Sequence, residues 1–175
     1  MMQPLKRSKI TLAYNMELQI LPAYSHTDTI RDLFAEYTQM LINGDSTFRE
    51  YLKLQNYEDE LAHLEKKYGL PDGRLYLLLA DGVPAGCIGL RKIDPITCEL
   101  KRLYVKPQFR GHKLGELLVG QIIADAKLIG YHRMRLDTLP FLTTAIALYK
   151  RCGFYEIPQY LDSPMVGSLY MQLDL

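Results

Sequence analysis

The sequence predicts a single α+β domain built on a mixed sheet, and three observations lead to this fold class. Three strand-like segments follow one another between residues 74 and 105, joined by short turns. After them, strand-like and helix-like patterns alternate to the end of the chain. A length of 175 residues, with 48% hydrophobic and 23% charged residues, suits one globular domain with one substantial core.

The first part of the chain is predicted to be mainly helical. Residues 1–15 are mildly basic and are expected to be a loose N-terminal extension, so that the domain itself covers residues 16–175. Apolar residues then recur at helical spacing until Asn43-Gly44, and a second such run stops at a segment rich in glycine and proline. The predicted elements are a strand over 16–21 and helices over 25–42 and 57–68.

The second part is predicted to begin with a three-stranded meander. Asp81-Gly82 is a hairpin turn signal between the first two strands, and Pro107 ends the third. The clearest helix follows, with Gly130 at the position just after its end. The predicted strands cover Arg74–Ala80, 83–91, Thr97–Val105, Arg133–Thr138 and 168–173, with a turn over 92–96 and helices over 113–129 and Thr143–Arg151.

Charge and cysteine content narrow the function classes. A formal net charge of +1 gives no overall electrostatic reason to expect a nucleic-acid or membrane partner, and the longest apolar runs are too short to span a bilayer. The N-terminus carries no signal-peptide pattern. The three cysteines have no metal-ligand spacing, so we expect free buried thiols, no metal site and a cytoplasmic protein.

Residues 97–115, TCELKRLYVKPQFRGHKLG, carry the strongest functional signal. Five basic residues and His112 lie between Leu100 and Gly115, with no acidic residue among them. This segment joins a predicted strand to a helix through a turn that contains Gly111. Main-chain amides at such a turn, at the positive end of a helix, form an anion site, and a pyrophosphate fits it best. No Walker A string and no GxGxxG string is present.

Three motifs in this order resemble the GNAT superfamily of acyl-CoA-dependent N-acetyltransferases. RGHKLG resembles its pyrophosphate loop, ELKRLYVKP resembles the strand before that loop, and ALYKRCGF resembles its Y-x-x-x-G-F signature. The specific motifs lie within residues 97–155. Two positions depart from the family pattern: Lys113 replaces the middle loop glycine, and Leu142 replaces an asparagine, with Thr143 and Thr144 as the nearest hydroxyls.

The resemblance implies an α/β/α sandwich with a mixed, mostly antiparallel sheet of six to seven strands and about four helices. It implies acetyl-CoA as co-substrate, with the pantetheine arm lying between splayed strands, and no metal. The residues expected to bind acetyl-CoA are Leu103, Tyr104, Val105, Arg110, Gly111, His112, Lys113, Gly115 and Glu116.

The resemblance also implies catalytic residues. Tyr149 matches the tyrosine that faces the sulfur, and with a pKa near 10 its hydroxyl can donate to the departing thiolate. Glu99 stands where some relatives place a basic carboxylate, acting directly or through water. Phe48, Tyr51 and Tyr160 fall in regions that shape the acceptor pocket of relatives.

The leading hypothesis is direct transfer of an acetyl group to the primary amine of a small molecule or amino acid. The alternatives are a protein or peptide amine as acceptor, an acyl-CoA-binding regulatory module without turnover, and a phospholigand-binding domain unrelated to CoA. A homodimer is an expectation from the family alone.

Overall fold

The computed structural model describes residues 8–11 and 16–175, and within them a single mixed sheet forms the centre of the domain. Seven of its eight strands lie between Glu17 and the end of the chain. The remaining strand, β1, is short and lies at one edge of the sheet. In spatial order the strands run β1-β2-β3-β4-β5-β6-β8-β7, and only the β5–β6 pair is parallel. The predicted mixed, mostly antiparallel sheet is therefore confirmed. The strands are β1 (Ser8–Thr11), β2 (Glu17–Pro22), β3 (Arg74–Ala80), β4 (Val83–Asp94), β5 (Thr97–Val105), β6 (Arg133–Thr138), β7 (Tyr155–Ile157) and β8 (Leu169–Asp174).

Helices cover both faces of the sheet. They are α1 (Thr27–Gly44), α2 (Phe48–Leu54), α3 (Tyr57–Ala62), α4 (Leu64–Tyr68), α5 (Leu114–Ile129) and α6 (Thr143–Arg151). On β3, Tyr76 and Leu78 pack in the core that contains α5 and α6, whereas Leu75 and Leu77 pack against α1 and α4. This alternation is the two-residue period of a strand buried on both faces, and it produces the α/β/α sandwich.

The helical region differs from the prediction in two places. Residues 45–56, expected to be a loop, contain α2, whose buried residues Phe48, Tyr51 and Leu52 have helical spacing. The single helix expected over 57–68 breaks at His63 into α3 and α4. In one continuous helix Glu60 and Tyr68 would lie about 12 Å apart along the axis. The break brings the Tyr68 hydroxyl within 2.7 Å of the Glu60 carboxylate.

Smaller differences concern strand lengths. β4 extends to Asp94, which pairs with Thr97, so the turn before β5 is shorter than the one expected over 92–96. β7 had no predicted counterpart, and it is only three residues long and lies at the sheet edge. Of the predicted loose extension 1–15, residues 1–7 and 12–15 lie outside the described residues, and Ser8–Thr11 pairs with β2. No helix in the described part of the chain is long and apolar enough to cross a membrane.

Strand β5 sets the geometry of the site in two ways. It pairs with β6 only through its first three residues, Thr97 to Glu99, so the remainder of the strand leaves an open gap on that side. It also carries a bulge, because Cys87 and Gly89 of β4 pair with Tyr104 and Lys101. Between these two pairs β4 has one residue and β5 has two. The extra residue on β5 is Arg102, which has a φ of +58°.

Candidate active site

A cavity of about 480 Å³, here called the outer cavity, occupies the gap beside β5. It is bordered by the end of β5, by the loop that leads into α5, and by α6. Leu103, Tyr104 and Val105 line it along the strand edge. Arg110, Gly111, Lys113, Gly115 and Glu116 line it at the loop. The structure thus brings together eight of the nine residues predicted to bind acetyl-CoA.

The ninth residue, His112, does not border the outer cavity. Its Nδ1 lies 3.3 Å from the main-chain oxygen of Phe109, within the loop itself. In the other direction, Arg151 at the end of α6 borders the cavity although it was not predicted. The signal for it was a basic residue in the segment ALYKRCGF, two positions before the family's glycine.

The loop presents main-chain amides and positive charge to the outer cavity. Gly111 has a φ of +85°, and Lys113 precedes α5 with a φ of +57°. The amides of Leu114, Gly115 and Glu116 have no partner within the helix, because the first amides of an α-helix have no carbonyl one turn before them. No side chain caps this end of α5 either. Arg110 donates from Nε to the Val105 oxygen at 3.1 Å, which holds the guanidinium beside the strand edge. This arrangement can bind a phosphorylated ligand at a helix N-terminus.

Lys113 adopts the left-handed backbone conformation that favours glycine, and the loop keeps this turn without the family's glycine. Because a Cβ strains this conformation, we expect Lys113→Gly to be more stable than Lys113→Ala by about 1 kcal/mol in chemical denaturation. The pair is matched, since both variants lack the ammonium group. Equal stability of the two variants would contradict this account of the turn. If the ammonium binds a phosphate, both variants lose the same several-fold affinity for coenzyme A by calorimetry.

Tyr149 lies at the inner end of the outer cavity. The side chain is buried against Phe154, and Leu142 and Thr143 border the cavity nearby. Within the described residues the hydroxyl has no hydrogen-bond partner. Burial, together with the neighbouring Tyr37 and Asp137, raises the pKa of Tyr149 well above its usual value. The hydroxyl therefore stays protonated and can donate a hydrogen bond to a group that enters the cavity.

A second, smaller cavity of about 40 Å³, here called the inner cavity, lies next to Tyr149. It shares Tyr37, Leu103, Leu142 and Tyr149 with the outer cavity. Two of the three residues expected in the acceptor pocket, Phe48 and Tyr51, border it from α2. They reach it because the helical spacing of α2 turns both side chains toward the sheet.

One carboxylate, that of Asp137 on β6, borders the inner cavity within the described residues. It accepts hydrogen bonds from the Tyr51 hydroxyl at 2.8 Å and from Lys101 Nζ at 3.1 Å. Burial would raise the pKa of Asp137, but the charge of Lys101 and these hydrogen bonds lower it below its usual value. Neither Asp137 nor Lys101 was predicted as a site residue, although each is a charged residue within a predicted strand.

Glu99 and Tyr160 border neither cavity, in contrast to their predicted roles. The Glu99 carboxylate is fully buried, forms an ion pair with Arg91, and accepts a hydrogen bond of 2.7 Å from the Tyr160 hydroxyl. This geometry does not support direct proton transfer from an acceptor amine to Glu99. A role through a water relay stays a prediction. The observed contact anchors the connection between β7 and β8 to the sheet.

A buried ionic network, which was not predicted either, lies behind the inner cavity. Arg102 donates from Nε and Nη2 to both oxygens of Glu60 at 2.8 Å, and from Nη2 to Gln55 at 3.0 Å. Lys67 and Tyr68 also donate to Glu60. Burial alone would raise the pKa of Glu60, but Arg102 and Lys67 hold it well below the usual value. The carboxylate is ionised throughout the neutral range.

Comparisons with known proteins agree with this geometry. A model of the acetyltransferase (GNAT) family matches residues 28–154. The chain is 38% identical over 164 residues to an uncharacterized N-acetyltransferase of Schizosaccharomyces pombe, and the alignment covers 92% of this chain and 96% of the relative.

Two solved structures are similar at lower sequence identity. An acetyltransferase from Streptococcus agalactiae has a TM-score of 0.73 and 22% identity, covering 91% of this chain and 98% of its own. The paia N-acetyltransferase from Thermoplasma acidophilum, solved in complex with coenzyme A, has a TM-score of 0.69 and 20% identity, with 90% and 99% covered. At these identities the two structures share the fold.

Proposed function

This chain belongs to the acetyltransferase (GNAT) family and is an acyltransferase, and on that premise we propose that it transfers an acetyl group from acetyl-CoA directly to the primary amine of a small molecule or amino acid. The observation that carries the proposal is the gap beside β5, where one cavity joins an anion-binding loop to a buried tyrosine. The coenzyme A complex of the Thermoplasma acidophilum enzyme, which has the same fold, supports acetyl-CoA as the donor.

Each region of the outer cavity contributes to this reaction. The diphosphate binds the amides that begin α5, with Arg110 and Arg151 nearby. The pantetheine arm lies along the open edge of β5, where the main-chain groups of Leu103 and Val105 are its hydrogen-bond partners. An amide on this edge polarises the thioester carbonyl, which is stabilisation of the oxyanion by a fixed donor.

Tyr149 acts on the leaving group. When the neutral amine nitrogen forms its bond to the carbonyl carbon, the carbon–sulfur bond breaks, negative charge develops on sulfur, and the nitrogen releases one proton to water as it becomes an amide. The Tyr149 hydroxyl donates a hydrogen bond to this thiolate, and full proton transfer is uphill in water because the phenol pKa near 10 exceeds the thiol pKa near 8.5. The raised pKa of Tyr149 favours hydrogen bonding over transfer.

Direct transfer fits the positions of the cysteines. All three lie in the described part of the chain and none borders either cavity. Burial raises the pKa of the Cys98 thiol to about 12 and raises that of Cys87 further. These thiols are protonated and inert at neutral pH, so we propose a ternary complex in place of an acyl-cysteine intermediate.

The surroundings of the inner cavity favour a small acceptor over a protein segment. Leu161 and Met165, in the connection between β7 and β8, pack against the cluster that contains Phe48 and Tyr51. The connection therefore packs over residues that border the inner cavity, and at about 40 Å³ this cavity is too small for a peptide segment.

Binding of coenzyme A is the first test. At a concentration 100-fold above the dissociation constant it should stabilise the protein by about 2.7 kcal/mol, which for a domain of this size raises the melting temperature by about 5–10 °C. ATP should give a much smaller shift. Arg110→Ala should weaken coenzyme A binding about 10-fold, whereas Arg49→Ala, at an exposed position of α2, should not.

Turnover is the second test. Thiol release from acetyl-CoA, measured across a panel of amines, should detect transfer to at least one small primary amine. Coenzyme A binding without thiol release for any amine would favour the regulatory module. Absence of coenzyme A binding would exclude the proposed donor and favour an unrelated phospholigand.

A further inference from the structure

The positive and negative charges around the inner cavity do not balance. The inference drawn from this imbalance rests on the proposed function and makes the class of acceptor more specific. Lys101, Arg102 and Asp137 border the cavity, and Glu60 and Lys67 complete the ionic network behind it. Three cations therefore face two carboxylates, leaving one positive charge in excess. The adjacent Arg91–Glu99 pair is itself neutral and does not change the balance.

The bulge in β5 brings two of these cations, Lys101 and Arg102, to the same face of the sheet. In a regular strand the side chains of successive residues point to opposite faces, so Lys101 and Arg102 would lie on different sides of the sheet. The extra residue at the bulge places both on the face covered by α1 to α4, and both border the inner cavity. Each of the two cations is paired with one carboxylate, Asp137 or Glu60, and a ligand anion placed between the cations would be attracted to both.

Both cations are deeply buried and have donors to spare. Lys101 is 8% exposed and Arg102 is 5% exposed. Within the described residues the Lys101 ammonium makes one hydrogen bond, to Asp137, of the three it can make. Arg102 uses Nε and Nη2 for Glu60 and Gln55, and its Nη1 has no partner among the described residues. Donor positions of this kind, on charged groups that border a cavity, can bind a ligand that accepts hydrogen bonds.

From this arrangement we infer that the acceptor is an amino acid, whose carboxylate binds Lys101 and Arg102 in the inner cavity while its amine lies at the boundary with the outer cavity, beside Tyr149. The boundary is defined by the residues that the two cavities share. A water molecule needs about 10–15 Å³ of such space, so 40 Å³ holds about three small groups. A carboxylate fits this volume, and an aromatic ring does not.

The test compares each amino acid with its own amide, for example alanine with alaninamide and 4-aminobutyrate with 4-aminobutanamide. The amide has nearly the same shape without the charge, and in alaninamide the amine is less basic, so a preference for the acid cannot come from more deprotonated amine. We expect kcat/KM for the acid to exceed that for the amide by about 10- to 100-fold. Equal or faster acetylation of the amides would overturn the inference while leaving the proposed acetyl transfer intact.

An aminoalkylphosphonate in the same panel distinguishes a carboxylate from a phosphate-like group. Faster acetylation of the phosphonate than of the matched amino acid would overturn the assignment of the carboxylate. If no amine of any kind is acetylated although coenzyme A binds, the proposed function fails and the inference fails with it.

Lys101→Met tests the residue that makes the contact. It should raise KM for the amino acid about 10-fold and bring the acid-to-amide ratio close to 1. Lys127→Met, the same substitution at an exposed position of α5, should leave the ratio unchanged. A ratio unaffected by Lys101→Met would overturn the assignment. Should that variant fail to fold, the acid-to-amide ratio of the unmodified enzyme decides alone.

Discussion

Replacing Tyr149 with phenylalanine is expected to lower kcat by about 100-fold, because the departing thiolate loses the hydrogen bond that the Tyr149 hydroxyl donates at the inner end of the outer cavity. This corresponds to about 2.7 kcal/mol of transition-state stabilisation. The affinity for coenzyme A should change little, since the loop before α5 is untouched. The melting temperature should also change little, because within the described residues the hydroxyl has no hydrogen-bond partner.

A matched control for this substitution is Tyr155→Phe. Tyr155 is exposed on β7, and its hydroxyl contacts Asp174 and Gln172, away from both cavities. Steady-state kinetics with acetyl-CoA should give a kcat close to that of the unmodified enzyme. A kcat for Tyr149→Phe within twofold of that value would show that the tyrosine only packs in the core.

Glu60→Gln is expected to lower the free energy of unfolding by about 3–5 kcal/mol. Glutamine keeps the shape but removes the charge that pairs with Arg102 and Lys67, so a guanidinium that is 5% exposed is left without its anion. For a domain of this length the melting temperature should fall by roughly 6–20 °C. Denaturant unfolding at pH 7 measures the effect.

Glu50→Gln provides the contrast. Glu50 forms an exposed ion pair with Lys53 on α2, and such a pair contributes less than about 1 kcal/mol. The large effect at position 60 should also depend on pH. The folded state holds the pKa of Glu60 below its unfolded value of 4.5, so its contribution is fully present above that pH and is lost as the pH falls below it. A stability difference between Glu60→Gln and the unmodified protein that did not shrink in acid would contradict this origin.

Much of the fold followed from local patterns. Asp81-Gly82 indicated the β3–β4 hairpin, and Gly130 marked the end of α5, where its φ of +102° is observed. Both signals are local because a turn requires particular backbone angles at one or two residues. The helical spacing of Phe48, Tyr51 and Leu52 carried the same kind of signal for α2, although a loop was predicted there.

The anion-binding half of the site could also be predicted from the sequence. A basic turn between a strand and a helix lies within consecutive residues, so Arg110, Gly111 and Lys113 were expected together and all border the outer cavity. Tyr149 was placed by the resemblance of a contiguous motif. The acceptor side of the site was harder to predict from the sequence. Glu99 and Tyr160 were expected there, but they contact each other away from both cavities.

The sequence by itself determined the order of most strands and helices and the loop that begins α5, because these depend on residues adjacent in the chain. Only the tertiary structure decided what surrounds the acceptor. Glu60 and Arg102 meet across 42 positions, and Tyr51 and Asp137 across 86. Such contacts depend on which strand faces which helix and on a single extra residue in β5. The backbone angles of that residue are stabilised by the packed sheet around it, so no local pattern specifies them.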